Sequence, residues 1–315
     1  MTAKIILNPY AGRWKGLQKR DEVIAAFKSS GMDYDLVATE APEHGTQLAY
    51  QAAQSGYSPI ISAGGDGSVS EVMNGIVSAA QDGHTEPVVL GVLPLGTAND
   101  LMVNLGLPTD IAGAVKVITQ GATRRIDLGV VTAWDISGRT KKVRFFDNNS
   151  AIGLEPNVTL IQQRIHWLRG SSRYLVATLI AVARNPQWKM HLTWEGGEYN
   201  GPVTLVTAGN NPLTGGVFYM APHANPFDGK LSCVFGYIPS RLQILRVLPR
   251  TMKPAQGSYV EHPAIHEIDV SWLKIHTESP TPVHADGEIQ NEATQDIEYQ
   301  LLPSYLPVLM NATPR

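Results

Sequence analysis

Short apolar runs alternate with amphipathic helical patterns through the first 125 residues, and no other feature limits the possible folds so strongly. "KIILNP" reads as a strand and "LQKRDEVIAAFKSSG" as a helix with Val23, Ile24 and Phe27 on one face. "YDLVAT", "SPIISA" and "PVVLGVLP" read as further strands, followed in turn by the helices "GTQLAYQAAQSG", "SVSEVMNGIVSAA" and "TANDLMVNLG". "DIAGAVKVITQG" closes the set. Such alternation builds a parallel sheet covered on both faces by helices. The expected fold class is α/β, with a doubly wound parallel domain over 1–125. Ligands of such sheets bind where strands hand over to helices, at the carboxyl ends.

Beyond residue 125 the pattern changes. "RRIDLGVVTAWDI" and "KKVRFFDNNSAIG" read as long strands joined by an "SGRT" turn. A helical insert follows from about Glu155 to Arg184. Then come "KMHLTWEGG", "GPVTLVTAGNN", "VFYMAPHA", "LSCVFGYI", "IDVSWLKIHT" and "QDIEYQLLP", with turn residues between them and one helical stretch, "SRLQILRVLPRTM". Repeated short strands of this kind predict an antiparallel β-sandwich over 126–315, its last residues free to return to the first domain. At 315 residues, two domains are the default.

Composition removes several function classes. With 43% hydrophobic and 17% charged residues and a formal charge of -3, the chain has no global attraction to nucleic acid or to an anionic membrane. The single cysteine, Cys233, excludes an intrachain disulfide and reads as a buried thiol in a strand. "MTAKIILNPY" is too short an apolar stretch for a signal peptide. The longest apolar run, 174–183, is about half of what a membrane span needs. A soluble, cytoplasmic protein is expected.

Two loops stand out against this background. "SAGGDGSVSEVMNGI" (62–76) places Gly64, Gly65, Asp66, Gly67 and Ser68 between an apolar strand and a helix. Glycines there let successive backbone N–H groups converge on an anion, and the helix N-terminus adds partial positive charge. Ser68 as an N-cap, with Glu71 three residues on, would be a capping box and a purely structural reading. "LPLGTANDLMVNLGLP" (93–108) repeats the arrangement one strand later, with Gly96 and Thr97 at the turn and Asn99 and Asp100 opening the helix. Two such strand ends can grip one polyphosphate from two sides. Asp66 beside bound phosphates is tolerable if a divalent cation, Mg²⁺, sits between them. No Lys-Ser or Lys-Thr follows the glycines, so this is not a Walker loop, and G-x-G-x-x-G is absent.

In combination these motifs resemble the diacylglycerol-kinase catalytic family, in particular its bacterial soluble lipid kinases, the YegS-like proteins. The resemblance runs over nearly the whole chain. It takes in "NPYAG" (8–12), "GGDGS", "LPLGTANDL", "RRIDLG" (124–129), "NNPLTGGVFYMAPHANPFDGKL" (210–231) and "HADGE" (284–288). It implies a two-domain enzyme with ATP between an α/β domain and a β-sandwich, and transfer of the γ-phosphate to a lipid hydroxyl. The ATP-binding residues it implies are Gly64, Gly65, Asp66, Gly67, Ser68, Val69, Ser70, Gly96 and Thr97, with Thr39 after the second strand. The glutamate of "DGE" maps to Glu288 as general base. A structural Mg²⁺ falls on Asp228, with carbonyl oxygens from Asn225 and Lys230. Ser68 stands where the family has threonine, and "NNSAIGLEP" departs from the usual Gly-Phe-Asp-Ala ending.

Several residues keep two readings. Asp127 in "RRIDLG" either orders metal or water opposite Asp66 or pairs with Arg124 or Arg125. "NPFDGK" is also an ordinary turn signature, and turn and metal readings of Asp228 can both hold. His262 and His266 have the spacing of a helical metal pair, but Pro263 argues for structural or exposed histidines. Residues 158–184 mix Val158, Ile161, Ile165 and Leu168 at helical spacing with Trp167, Arg164, Arg169, Arg173 and Arg184. That mixture is a packed helix or a membrane-docking face. Asp286 is expected to point away from Glu288 and to support the turn. Rival functions are an NAD kinase-like enzyme, whose usual Asn-Glu pair after the glycine loop is absent, and a non-catalytic nucleotide sensor, which would be expected to lose Asp66 or Glu288. The lipid itself is left open among diacylglycerol, phosphatidylglycerol, a sphingoid base and another lipid alcohol.

Overall fold

The computed structural model describes residues 2–83, 85–165, 171–184 and 187–311, with 171–175 described by backbone alone. The chain divides into two compact units. Unit 1 comprises Met1–Leu128 and Pro303–Arg315, and unit 2 Gly129–Leu302.

Unit 1 runs β1 (Ala3–Leu7), α1 (Ala11–Gln18), α2 (Arg20–Ser30), β2 (Tyr34–Ala38), α3 (His44–Gln54), β3 (Ile60–Gly64), α4 (Asp66–Gly83), β4 (Leu90–Pro94), α5 (Asp100–Asn104) and α6 (Ile111–Gln120). β5 (Thr123–Trp134) then leads into unit 2. The sheet is parallel, in the order β4-β3-β1-β2, with Ile61 opposite Ile5 and Gly91, and Ile5 opposite Leu36. Ile60, Ile61, Ala63, Leu90 and Leu93 are fully buried, as expected of strands covered on both faces. Val23 and Phe27 are buried on α2, with Ile24 beside them half-buried. α3 and α4 cross closely because Gly75 has no side chain; a Cβ there would lie 2.3 Å from the Thr46 carbonyl oxygen.

Unit 2 adds β6 (Lys141–Phe146), β7 (Asn149–Gly153), α7 (Leu154–Arg164), α8 (Ser171–Arg184), β8 (Trp188–Trp194), β9 (Gly197–Val203), β10 (Leu205–Gly209), β11 (Leu213–Thr214) and β12 (Phe218–Tyr219). β13 (Leu231–Gly236), α9 (Arg241–Val247), β14 (Ile265–Val270), β15 (Trp272–Ala285) and β16 (Glu288–Leu309) complete it. Pairing is antiparallel along the order β14-β13-β10-β7-β15-β16, as it is for β8-β9 on β15 and within the β5-β6 hairpin, whose β5 also pairs β16. β15 changes partner along its length, pairing β8 through Leu273–Thr277 and β7 through Val283–Ala285. The result is a β-sandwich whose core includes Phe146, Ile152, Leu192, Val206, Cys233, Leu273 and Tyr299. Cys233 is fully buried there, and burial pushes its thiol far above the ordinary range.

The turn at 135–140, the helical insert and α9 fall where the sequence pattern predicts them. Three expected strands are instead broken. "KKVRFFDNNSAIG" splits at Asp147–Asn148, because the N–H groups of Asp147, Asn148 and Asn149 all turn to the Asp286 carboxylate. "GPVTLVTAGNN" splits at Thr204, where β9 ends its pairing with β8 and β10 begins pairing with β7 and β13. "IDVSWLKIHT" splits at Ser271, whose N–H donates to Glu195 Oε1 at 2.5 Å. "VFYMAPHA" keeps only the two-residue β12. An apolar run marks a stretch for burial but not the residue at which a strand changes partner.

Candidate active site

Unit 1 gathers three loops at the carboxyl edge of its sheet. Leu7 stands opposite Ala63 and Gly64 opposite Pro94, so Asn8, Gly65 and Leu95 emerge side by side. Asn8 Nδ2 donates to Ser68 Oγ at 2.9 Å, and Asn8 Oδ1 accepts the Tyr10 N–H at 2.9 Å. The glycines are required because the loops touch one another. A Cβ on Gly64 would lie 2.3 Å from Ser68 Oγ, one on Gly65 3.0 Å from Gly96 Cα, and one on Gly96 2.5 Å from Gly65 Cα. Gly65 and Gly96 meet backbone to backbone, Gly64 meets a side chain of its own loop, and bulk is excluded before any ligand is considered.

Asp66 also has a structural reason to be there. Its carboxylate accepts the N–H of Asn99 at 3.1 Å and of Asp100 at 2.5 Å, so it caps α5 and ties the two loops together. Burial raises its carboxyl above the ordinary range, while those backbone donors pull it back. Asn99, at φ 54°, closes the second turn by accepting the Gly96 N–H at 3.0 Å, which leaves Thr97 exposed at the tip. Thr39 is buried after β2, its N–H on the Leu7 carbonyl at 2.9 Å.

The expected capping box does not form. α4 begins at Asp66, so Ser68 lies inside its first turn, and Glu71 accepts the N–H groups of Glu43 and Gly45, each at 2.9 Å. Glu71 caps the neighbouring α3 because the close α3–α4 crossing brings that helix start within reach. Gly67 and Ser68 remain half-exposed in a first helical turn whose N–H groups have no acceptor within the helix. Val69 and Ser70 are buried on the inward face of α4, so their side chains do not reach a ligand.

Asp127 is buried, and its Oδ1 accepts the Ser304 N–H at 2.6 Å. Arg125, one of the two arginines expected to pair with it, goes instead to Glu86 at 2.8 Å and to the Tyr305 carbonyl at 3.0 Å. Arg125 and Asp127 thus serve the returning chain by separate bonds.

Unit 2 carries the second set of polar groups. Asp286 (φ 47°) and Gly287 (φ 78°) form the two-residue turn between β15 and β16, with Ala285 paired to Glu288. Glu288 is exposed beside it. Asp286 supports more than its own turn: it accepts the N–H groups of Asp147, Asn148 and Asn149 at 3.3, 3.0 and 3.2 Å. Burial raises its carboxyl from 3.8 to about 6 in spite of those donors. The folded state therefore holds this proton more tightly than the unfolded chain, and the stability it contributes falls as pH rises from about 4 to 6. Asp286→Asn should flatten that fall, destabilising most at pH 4 and least above pH 6, by a difference of up to roughly 3 kcal/mol. Urea unfolding at pH 4, 5, 6 and 7 checks the sign.

An apolar pocket also lies within unit 2, with about 720 Å³ of space including its mouth. Val158, Leu205, Ile238, Ile244 and Val247 form its walls, and Glu155 is its one carboxylate among the described residues. Val158, Ile161 and Ile165 pack with Ala177 and Ala181, so that stripe is core. Residues 166–170, with Trp167, Leu168 and Arg169, and the Arg173 side chain lie outside the described residues. Arg164 and Arg184 are exposed. The histidine pair is not helical: His262 Nδ1 accepts the Ala264 N–H at 3.2 Å, and His266 stacks on Phe235 at 5.2 Å.

The donor sets test whether Mg²⁺ suits these residues. Among the described residues no three His, Cys, Asp or Glu side chains gather into a protein-made metal cage. Asp66 has lone pairs left beyond its two N–H bonds and a charge that burial makes costly. It fits a cation carried mainly by phosphate oxygens. At 225–230, Asn225 Oδ1 accepts the Phe227 N–H at 3.2 Å and Asp228 Oδ1 the Lys230 N–H at 3.0 Å. That turn supplies hard oxygen donors and also closes by its own hydrogen bonds.

A diacylglycerol kinase catalytic domain model matches residues 2–131, and a YegS C-terminal NAD kinase beta sandwich-like domain model matches residues 149–310. A diacylglycerol kinase of Mycobacterium tuberculosis is 30% identical over 309 residues, covering 96% of this chain and 93% of the relative. The chain belongs to the diacylglycerol kinase family. Another diacylglycerol kinase, from Staphylococcus carnosus, is 25% identical over 91% of this chain and 88% of its own. The fold of a Bacillus anthracis diacylglycerol kinase matches with a TM-score of 0.72 at 21% identity, over 100% of this chain and 98% of that one. Yeast NADH kinase is more distant, at a TM-score of 0.52 and 12% identity over 98% and 82% of the two chains, and shows shared fold alone. As a diacylglycerol kinase family member the chain is a kinase, and no described helix is long and apolar enough to cross a membrane.

Several pairings in these constellations escape a motif-by-motif reading. Asn8 and Ser68 are 60 positions apart, and neither spacing nor pattern links them. Asn99, Glu155 and His284 sit inside quoted motifs, but the roles they take depend on contacts that no motif encodes.

Proposed function

We propose that the protein is an ATP-dependent, Mg²⁺-requiring lipid kinase, transferring the γ-phosphate to a lipid hydroxyl at the cytoplasmic face of a membrane. One observation carries the reading: a chain covered almost end to end by a diacylglycerol kinase relative carries the loop glycines, Asp66 and Glu288. The paired loops, with the N–H groups at the start of α4 and the Thr97 hydroxyl, bind the polyphosphate. Thr39, Gly64, Gly67 and Ser68 complete the nucleotide site, and Val69 and Ser70 take part by fixing the first turn of α4, the Val69 N–H donating to the Gly65 carbonyl. Mg²⁺, held by phosphate oxygens with Asp66, supplies neutralisation of the phosphate charge.

Glu288 accepts the proton of the lipid hydroxyl as that oxygen bonds to the γ-phosphorus. The bond from the γ-phosphorus to its bridging oxygen breaks, and ADP leaves with the electron pair. Asp127, whose Oδ1 accepts the Ser304 N–H, is given the ordering of metal or water opposite Asp66. The apolar pocket of unit 2 takes the acyl chain. The test is incubation with γ-labelled ATP, separated membrane lipids and NAD: label should enter one lipid class and not appear in NADP. Label in NADP alone, or in no lipid, overturns the proposal.

Asp228 is assigned a structural cation with the Asn225 and Lys230 carbonyls. Mg²⁺ without nucleotide should raise the melting temperature, and Asp228→Ala should abolish that rise while leaving ATP affinity unchanged. A wild-type melting temperature that ignores Mg²⁺ removes this site.

A further inference from the structure

The turn that carries Glu288 is held by a closed circuit of buried hydrogen bonds within unit 2. Glu155 Oε1 accepts from Asn149 Nδ2 at 3.1 Å and lies 3.1 Å from His284 Nε2, while Oε2 accepts from Thr207 Oγ1 at 3.1 Å. His284 Nδ1 in turn accepts the Gly287 N–H at 3.3 Å. Because Nδ1 is an acceptor, the proton of the neutral ring sits on Nε2 and is donated to Glu155. Asn149 closes the circuit: its N–H donates to Asp286 Oδ1 at 3.2 Å, and its carbonyl accepts the Asp286 N–H at 2.8 Å. His284 and Asn149 are each 1% exposed.

Such a circuit is out of proportion to a two-residue hairpin, which Asp-Gly alone would close. Burying Glu155 and His284 is costly unless their polar atoms are matched. Nothing in phosphoryl transfer uses either side chain directly. His284 touches the N–H of Gly287, the residue before Glu288, and Glu155 touches His284. A glutamate has three rotatable side-chain bonds, so its backbone is the part the fold can aim in advance, and a misplacement of about 1 Å costs on the order of 100-fold in rate.

We propose that Glu155 and His284 are positioning residues that lock the Asp286–Gly287 turn and thereby set the aim of the Glu288 carboxylate. The inference rests on Glu288 being the base. Glu155 holds the imidazole by Nε2, and the imidazole holds Gly287 by Nδ1.

Two substitutions at position 284 test the two ring nitrogens separately. His284→Asn keeps an acceptor near the place of Nδ1 and loses the bond to Glu155. His284→Gln reaches Glu155 and loses the bond to Gly287. Expected is a kcat within about 3-fold of wild type for Asn and a fall of roughly 10- to 100-fold for Gln, with KM for ATP unchanged in both. The Gly287 amide, followed by hydrogen exchange, should stay protected in Asn and exchange faster in Gln. In a Glu288→Gln background, His284→Gln should cost nothing further. Equal kcat and equal Gly287 exchange in the two variants, or losses that add fully in the double variant, overturn the proposal. Where His284→Gln does not fold, His284→Ala replaces it, with faster Gly287 exchange than in His284→Asn expected and equal exchange overturning. A wild-type rate in Glu288→Gln alone would instead sink the base assignment, while Gly287 exchange still decides whether His284 holds the turn.

Discussion

Replacing Glu288 by glutamine is expected to lower lipid phosphorylation by roughly two to four powers of ten while leaving ATP affinity nearly unchanged. A lipid hydroxyl is a poor nucleophile at neutral pH, so its proton must pass to a base as the bond to phosphorus forms. Glutamine keeps the size and polarity of the side chain and removes that basicity. Asp286 cannot stand in, because three backbone N–H groups already occupy its carboxylate and its backbone is fixed in the left-handed region. Steady-state transfer from labelled ATP, with calorimetric titration of ATP-Mg on the same sample, separates the two effects. A variant that binds ATP and phosphorylates lipid at the wild-type rate takes the base role from Glu288.

Gly65→Val is expected to weaken ATP-Mg binding by at least roughly two powers of ten, the size of losing two charge-assisted hydrogen bonds. The first added carbon would already stand 3.0 Å from Gly96 Cα, and the two methyls beyond it need more room still. The loops must part, and the Asp66 bonds to Asn99 and Asp100 lengthen with them. The same strain should cost about 1–3 kcal/mol of stability. Gly96→Ala makes a companion, because its Cβ would meet Gly65 Cα at 2.5 Å. Titration calorimetry beside a thermal melt reads both quantities. Unchanged affinity in a folded Gly65→Val protein would remove the loop from the nucleotide site.

Local patterns made the parallel sheet and its carboxyl-edge loops legible in the sequence, because strand burial and helix amphipathicity repeat over a few residues. The glycines of 64–67 and 96 were legible as a need for absent side chains. What they avoid was not, since Gly65 and Gly96 follow different strands and only the register of β3 with β4 sets them together. Glu71 shows the same limit. Three residues after Ser68 it fits a capping box, yet a long-range contact with α3 claims it. The breaks at Asp147 and Ser271 depend on Asp286 and Glu195, 139 and 76 positions away, beyond the reach of any window. Glu155 and His284 were hidden for that reason too.

The division of unit 1 between the two ends of the chain has a consequence for how the protein comes off the ribosome. Val308 pairs with Leu90 on β4, the Met310 N–H reaches the Ala122 carbonyl, and Ser304 satisfies the buried Asp127. Until residues 303–310 are synthesised, β4 presents a bare strand edge and Asp127 lacks that donor. Unit 1 thus begins before unit 2 during translation and is finished after it. A ribosome stalled between β4 and residue 303 leaves a nascent chain with an adhesive edge, so this protein should depend on chaperones during synthesis more than its ordinary composition would suggest.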